Sequence, residues 1–292
     1  MIEKDNLFAL VVWYNPTSVH ANNVKTYFDE VKVLIIIDNS DIDNSSLFSD
    51  LDHSKIIYIA NHENIGLASA LNLGCKLALN KGAKWVLTMD QDSSFESNLV
   101  NYIKLSNEFE EFDQVAIFFP FHIESFECKE KAIIDTKYSV TNYAITSGNL
   151  LSLKHIEQAG FFMDDLFIDW VDEEICLRFT KLNFKIVRVN SVFLKHLIGN
   201  GTKKINFFGK TKFFDDYAPI RYYYITRNLF VLCRLYPSEA KRLKRRWYKQ
   251  FRRIVFYDNH NKLSKIHYLF KGLFHYFIGK SGSIVNNKTQ KN

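Results

Sequence analysis

The amino-acid sequence predicts an α/β fold, a Rossmann-like, doubly wound mixed sheet, followed by a helical C-terminal extension that is basic and amphipathic. Three features predict it. Short, nearly continuous apolar runs recur through the first part of the chain, as in strands buried on both faces of a sheet. Segments with apolar residues at helical spacing separate them, and that alternation is the pattern of βαβ units. Beyond residue 240, apolar side chains recur at i, i+3, i+4 and i+7 while Lys and Arg fill the positions between.

The first strand is read at Leu7 to Trp13 and the second at Val33 to Ile37. Ile56 to Ile59, Trp85 to Met89 and Val115 to Phe119 continue the series. Leu67, Leu71, Cys75 and Leu79, with Ala70 and Ala78, mark a helix over 67–79. In a doubly wound sheet, ligands bind at the carboxyl ends of the strands. Four polar clusters should therefore converge on one edge: Asn15-Pro16, Asp38-Asn39-Ser40, Asn61 to Gly66, and Asp90-Gln91-Asp92.

After Pro120 the charged stretch from Glu124 to Lys137 reads as an insertion, and Tyr143 to Leu153 as a strand-like segment broken at Ser147-Gly148. A helix is expected from Val171 to Leu182, with separate strands near Lys185–Val189 and Val192–His196. Gly199 to Phe214, rich in Gly, Lys and Phe, reads as a loop.

Composition narrows the possibilities. With 292 residues and 47% hydrophobic content, the chain can bury a full core. The four cysteines, Cys75, Cys128, Cys176 and Cys233, lack any Cys-x-x-Cys pair, so neither a disulfide framework nor a zinc ribbon is indicated. They read as reduced thiols of a cytoplasmic protein. The polar start, Met1 to Asn6, is the wrong order for a secretory signal, and no apolar stretch reaches a membrane-spanning length. The net charge of +6 is uneven: residues 241–292 hold 14 Lys/Arg and one acidic residue, and the rest of the chain is acidic.

Several clusters can carry chemistry. Asp90 and Asp92 alternate at a strand end, so both can address one nucleotide and one divalent ion, although the same residues also suit a turn ahead of a helix near Phe95. Asp38 can accept hydrogen bonds from a base or ribose, or close a turn. Asn64 and Gly66 open a helix start where the backbone can approach a ligand, and Asn72 lies two turns along. Asp169, Asp172, Glu173 and Glu174 crowd the start of a helix beside Trp170, more carboxylates than the helix dipole alone explains. That cluster is the best source of a general base. His196 can be a core histidine or a metal ligand.

Taken in order, these segments resemble the family-2 glycosyltransferases of the GT-A fold, especially the bacterial rhamnosyltransferase branch that uses dTDP-L-rhamnose. The resemblance covers roughly residues 7–230. It rests on Val11 to Pro16, Asp38-Asn39-Ser40, the Asn64 to Gly74 repeat of small residues, Asp90-Gln91-Asp92-Ser93, Ser147-Gly148, Phe167 to Arg178, His196-x-x-Gly199, and Arg221-Tyr222-Tyr223 with Arg227-Asn228. It implies a catalytic GT-A domain over 1–215 and a helical basic region over 216–292. It also implies an inverting transfer of a sugar to a hydroxyl of a lipid-linked glycan acceptor in cell-surface polysaccharide synthesis.

Carried over residue by residue, the resemblance puts Tyr14, Asn15, Asp38, Asn64, Gly66, Asn72, Asp90 and Gln91 on the nucleotide sugar. Asp92, His196 and Asp90 would hold Mg2+ or Mn2+, and Asp172 would be the base, with Asp169 and Glu173 as competitors. Glu174, Ser147, Gly148, Asp169 and Trp170 would line the acceptor. Trp13, where a Thr or Ser is usual, and Leu71, where Gln is frequent, depart from the pattern and leave the donor open, a UDP-hexose included. A non-catalytic nucleotide-sugar-binding protein is a further alternative. A nucleotidyltransferase is disfavoured because Trp13 to His20 carries no glycine-rich phosphate loop.

For the basic tail, Leu243, Trp247, Phe251 and Ile254 share one face of a helix among six Arg and Lys, and Ile266 to Ile278 forms a second amphipathic stripe. Such helices suit an anionic membrane surface at the inner face of the cell membrane, better than nucleic acid, and packing on this chain or a homo-oligomer is the alternative.

Overall fold

The computed structural model describes residues 1–96, 99–123, 136–196, 202–207, 210–215, 217–256 and 261–284. Strand β1 (Leu7–Trp13) pairs in parallel with β2 (Val33–Asp38) on one side and β4 (Trp85–Asp90) on the other, and β2 pairs in parallel with β3 (Ile56–Ala60). Leu7, Ala9, Leu10, Val11 and Trp13 are fully buried, as a central strand covered on both faces requires. Helix α1 (Ser18–Val24) follows β1, and α2 (Leu67–Asn80) links β3 to β4. Gly74 lets α2 lie close to β1, because a Cβ there would fall 2.2 Å from Leu10 Cδ1.

Beyond β4 the strand direction becomes mixed. Strand β8 (Asn149–Ser152) runs antiparallel to both β4 and β6 (Val115–Ile123), and β6 is parallel to β9 (Lys185–His196). Strand β9 in turn takes β5 (Ser93–Phe95) and β7 (Tyr138–Thr141) as antiparallel partners. Among the described residues the sheet order is β3-β2-β1-β4-β8-β6-β9-β5. The short β5 is followed by α3 (Leu99–Asn107), and α4 (Leu153–Ala159) follows β8.

Some local expectations change. The segment 143–153 is a strand only over β8, because Gly148 takes φ +79 and its N–H donates to Thr88 O, which turns the chain just before the strand. Lys185–Val189 and Val192–His196 form one strand rather than two, with a register shift against β6 that passes from Pro120↔Val189 to Phe121↔Phe193. The buried Asn190 sits at that irregularity and donates to Thr136 O and Ser139 Oγ. The expected loop over 199–214 contains an antiparallel hairpin, β10 (Thr202–Phe207) with β11 (Lys210–Asp215). The short strand β5 occupies Ser93–Phe95, and the helix expected near Phe95 is α3, described from Leu99. Most of the charged insertion, residues 124–135, lies outside the described residues.

The chain divides into two compact units, Met1–Phe162 with Ile175–Leu197, and Met163–Glu174 with Ile198–Asn292. Helix α5 (Val171–Lys181) gives its first turn to the second unit and the remainder to the first. The second unit also holds α6 (Arg221–Leu235), α7 (Ala240–Phe256) and α8 (Lys262–Phe277). Tyr222 and Ile225 of α6, Ile254 of α7 and Leu269 of α8 form its core, with Trp247, Phe251 and Ile266 packed against it. The Trp247 indole donates to Thr226 Oγ1 at 3.0 Å.

Gly272 sets the approach of α8 to α6, because a Cβ there would lie 2.4 Å from Tyr223 O. Backbone cannot yield as a flexible side chain does. Gly272→Ala should therefore destabilise the folded chain by about 1–3 kcal/mol, the usual cost of overpacking, measured as a lower denaturation midpoint.

Candidate active site

Strand ends β1, β2 and β4 carry the polar clusters to one edge. The Gln91 side chain spans two of them, accepting from Tyr14 N–H at 2.8 Å and donating to Tyr14 O at 3.2 Å. Asn15, at φ +48, donates its N–H to Ser40 Oγ at 2.7 Å. The Tyr14 ring is exposed there. Asp38 is wholly buried, and its carboxylate accepts from Ser40 N–H (2.9 Å), Asn44 Nδ2 (2.8 Å) and the Tyr58 hydroxyl (2.7 Å). It orders the loop after β2. Asn64 Oδ1 accepts from Gly66 N–H at 2.9 Å, and Gly66 takes φ +90 at the N-cap of α2. The amide of Asn72 pairs both ways with the backbone of Phe162, each bond 2.8 Å, which fixes the chain ahead of the second cluster. Trp13 is buried against Phe48, so its ring fills core.

Asp90, Asp92 and His196 come together, their ligating atoms all within 4.8 Å of one another. The cause is the β5–β9 register, which sets Ser93 opposite His196. Ser93 Oγ and His196 Nδ1 are hydrogen-bonded at 2.7 Å, and the same nitrogen lies 3.5 Å from Asp92 Oδ1 and 4.0 Å from Asp90 Oδ2. Asp92 Oδ1 is buried with no hydrogen-bond partner among the described residues, and burial pushes the Asp92 carboxyl above its usual range, against the pull of His196. A buried carboxylate oxygen lacking a donor, beside a second carboxylate and an imidazole, fits a divalent cation.

Ser147 and Gly148 lie behind this group. Ser147 Oγ accepts from Asp90 N–H at 3.1 Å, and Thr88 Oγ1 donates to Thr146 O at 2.6 Å. Sequence reasoning missed His122, which donates from Nε2 to Ser147 O at 2.7 Å and stands edge-on to His196 with ring centroids 6.1 Å apart. Its only signal was a polar residue at the end of an otherwise apolar strand.

The second unit collects the other carboxylates and gives most of them partners. Asp169 is ion-paired with Arg221. Glu173, 2% exposed, accepts from Arg242 and from Arg246. Glu174 accepts from the Tyr236 hydroxyl at 2.8 Å. Asp172 has no such side-chain partner among the described residues. Desolvation raises its carboxyl above the ordinary aspartate range, and Asp169 and Glu173 push the same way. The loop before it is strained: Phe167, Asp169 and Trp170 all take positive φ, near +63 to +66, without being glycine. Asn228 holds it there, its amide donating to the carbonyls of Leu166, Ile168 and Asp169, while Arg227 donates to those of Asp165 and Leu166. Trp170 donates to Ile225 O at 2.9 Å and carries Arg246 over its ring.

The fold is that of the GT-A glycosyltransferases. It is similar to the mannosyltransferase PcManGT from Pyrobaculum calidifontis, solved with GDP-Man and Mn2+, at a TM-score of 0.55 and 11% identity, over 95% of this chain and 88% of that one. It is also similar to GalNAc-T7, solved with UDP, GalNAc and Mn2+, at a TM-score of 0.53 and 13% identity. That match covers 66% of this chain and only 44% of GalNAc-T7. Residues 16–163 match the model of glycosyl transferase family 2, and the chain belongs to that family. It is a glycosyltransferase. Among curated proteins, the dTDP-rhamnosyl transferase RfbF of Shigella flexneri is 28% identical over 248 residues, 78% of this chain and 80% of that protein.

Burial holds the His122 imidazole neutral, with its pKa pushed down to about 4. Because the folded value lies below the unfolded one, stability is fully present above about pH 6.5 and is lost as pH falls toward 4. Chemical denaturation should show a loss of roughly 3 kcal/mol at most from this group, and His122→Gln should flatten that part of the profile.

Proposed function

We propose that this chain is an inverting, metal-dependent rhamnosyltransferase that moves L-rhamnose from dTDP-L-rhamnose to a hydroxyl of a glycan acceptor, lipid-linked and destined for a cell-surface polysaccharide. The observation that carries the metal-dependent reading is the Asp90, Asp92 and His196 group with its unsatisfied Asp92 Oδ1. The donor follows from the likeness to RfbF.

In this reading Asp92, Asp90 and His196 hold Mg2+ or Mn2+, which supplies positive charge for the departing diphosphate. Tyr14 and Asn15 receive the nucleoside, Gln91 fixes the distance between the two strand ends, and Asp38 shapes the base end through the loop it orders. Asn64 and Gly66 set the start of α2, and Asn72 ties that helix to Phe162. Ser147 and Gly148 support the acceptor side of Asp90.

Asp172 is the base. Asp169, Glu173 and Glu174 are committed to Arg221, to Arg242 with Arg246, and to Tyr236, whereas Asp172 has no such side-chain partner among the described residues, and its burial outweighs the pull of Arg246 on its proton affinity. The acceptor O–H gives its proton to Asp172 as the oxygen forms a bond to the anomeric carbon. The bond from that carbon to the diphosphate breaks, its electrons leave with dTDP, and configuration inverts. Glu174, Asp169 and Trp170 shape the acceptor end. The C-terminal helices place the enzyme on the anionic inner face of the cell membrane. Among the described residues no helix is long and apolar enough to cross a bilayer.

The test is release of nucleotide diphosphate from dTDP-rhamnose, UDP-glucose, UDP-galactose and UDP-galactofuranose, with and without Mg2+ or Mn2+. Fastest metal-dependent release from dTDP-rhamnose is expected. A preference for a UDP-hexose would overturn the donor assignment, and tight binding without turnover of any donor would make the chain a binding protein. Asp92→Ala and Asp172→Asn should each lower transfer by at least about a hundredfold with the melting temperature little changed. Since Asp172 works as the carboxylate and its pKa is raised, transfer should fall as pH drops through that raised value, on an acid limb above the ordinary aspartate value of about 3.9.

A further inference from the structure

Helix α8 is apolar on two opposite faces. One, with Leu269 and Gly272, is buried against α6. The other carries Leu263, Phe270, Phe274, Phe277 and, at the C-cap, Ile278, with exposures from 58% for Ile278 to 83% for Leu263. Positions 263, 270, 274 and 277 fall on one stripe of a 3.6-residue helix, about 21 Å long at 1.5 Å per residue. Four large side chains left in water along one line mark a contact surface. The stripe of α7 is not comparable, because Leu243 and Ile254 are buried and Trp247 and Phe251 pack against the unit's core.

We infer that the Leu263–Phe270–Phe274–Phe277 face of α8 is the surface that enters an anionic lipid bilayer, with α8 lying in the plane of the headgroups. This rests on the peripheral-membrane part of the reading above and identifies the contact. Charge selects the occupant. Residues 241–292 hold 14 Lys/Arg against one acidic residue, and Lys241, Lys244, Arg245, Lys249 and Arg252 of α7 are exposed. A two-fold contact between copies would set this basic segment against itself, whereas anionic headgroups neutralise it while the phenylalanines reach the acyl boundary.

The full-length chain is tested by co-sedimentation with vesicles of phosphatidylcholine alone and of phosphatidylcholine with phosphatidylglycerol. Wild type should bind the anionic vesicles preferentially. Phe270→Ser, Phe274→Ser and Phe277→Ser combined should weaken that binding at least about tenfold while leaving melting temperature and nucleotide release unchanged. Equal binding by the triple variant overturns the assignment of this face. So does a wild-type dimer that the substitutions convert to a monomer while neither protein binds vesicles. Failure of the donor reading would appear instead in nucleotide release and would leave the vesicle result standing.

Discussion

The antiparallel pairing of β5 with the end of β9 is the constraint on which the Asp90, Asp92 and His196 group, the proposed cation site, depends. Ser93, Ser94 and Phe95 pair with His196, Lys195 and Leu194, so a strand of three residues places an imidazole beside two carboxylates that precede it by about a hundred positions. So short a strand contributes little on its own; the buried Phe95, packed on Tyr102, anchors it. Ser93 then fixes the ring of His196, and His122 braces both that ring and the Ser147 carbonyl. The cost of the arrangement falls on Asp92, whose Oδ1 is buried without a donor among the described residues. A bound cation removes that cost, which is why the unsatisfied oxygen points to a ligand rather than to a defect.

The second unit solves a different electrostatic problem. Four carboxylates within six positions repel one another, and three of them are neutralised or hydrogen-bonded by residues of α6, α7 and the segment between. The remaining one, Asp172, keeps a raised proton affinity chiefly because it is buried. Positive φ at Phe167, Asp169 and Trp170 would cost of order 1–3 kcal/mol each in isolation. Asn228 and Arg227, both fully buried, offset it with hydrogen bonds to consecutive carbonyls. The Arg-Asn pair thus holds the backbone geometry of the loop ahead of Asp172.

The parallel strands were readable because burial on both faces leaves an uninterrupted apolar run, and the polar residue that ends each run marks the ligand edge. Strand β9 was harder, since the Asn190 irregularity interrupts the alternation that would have joined its halves. The hairpin over 202–215 was hidden by Gly and Lys, residues that also compose loops. At the site, residue type and position were readable and bonding was not. Asp38, Asn64 and Asn72 stand where a ligand edge predicts polar groups, yet each is tied to protein atoms, a distinction that depends on partners many positions away. His122 gave almost no signal, because a histidine ending a strand more often completes a core.

The C-terminal helices show how periodicity and charge can mislead together. The apolar positions of α8 merge two faces into one broad pattern, and only packing separates the side that meets α6 from the side left exposed among the described residues. Net charge has the same ambiguity. Arg242 and Arg246 belong to the basic run of α7, yet they are paired with the buried Glu173 and are spent inside the second unit. With those two paired to Glu173, fewer charges of α7 are left for a surface than the sequence count implies, and a few such charges attract a surface without holding it. In the membrane contact proposed above, durable attachment then has to come from apolar area, which returns the weight of that contact to the exposed phenylalanines of α8.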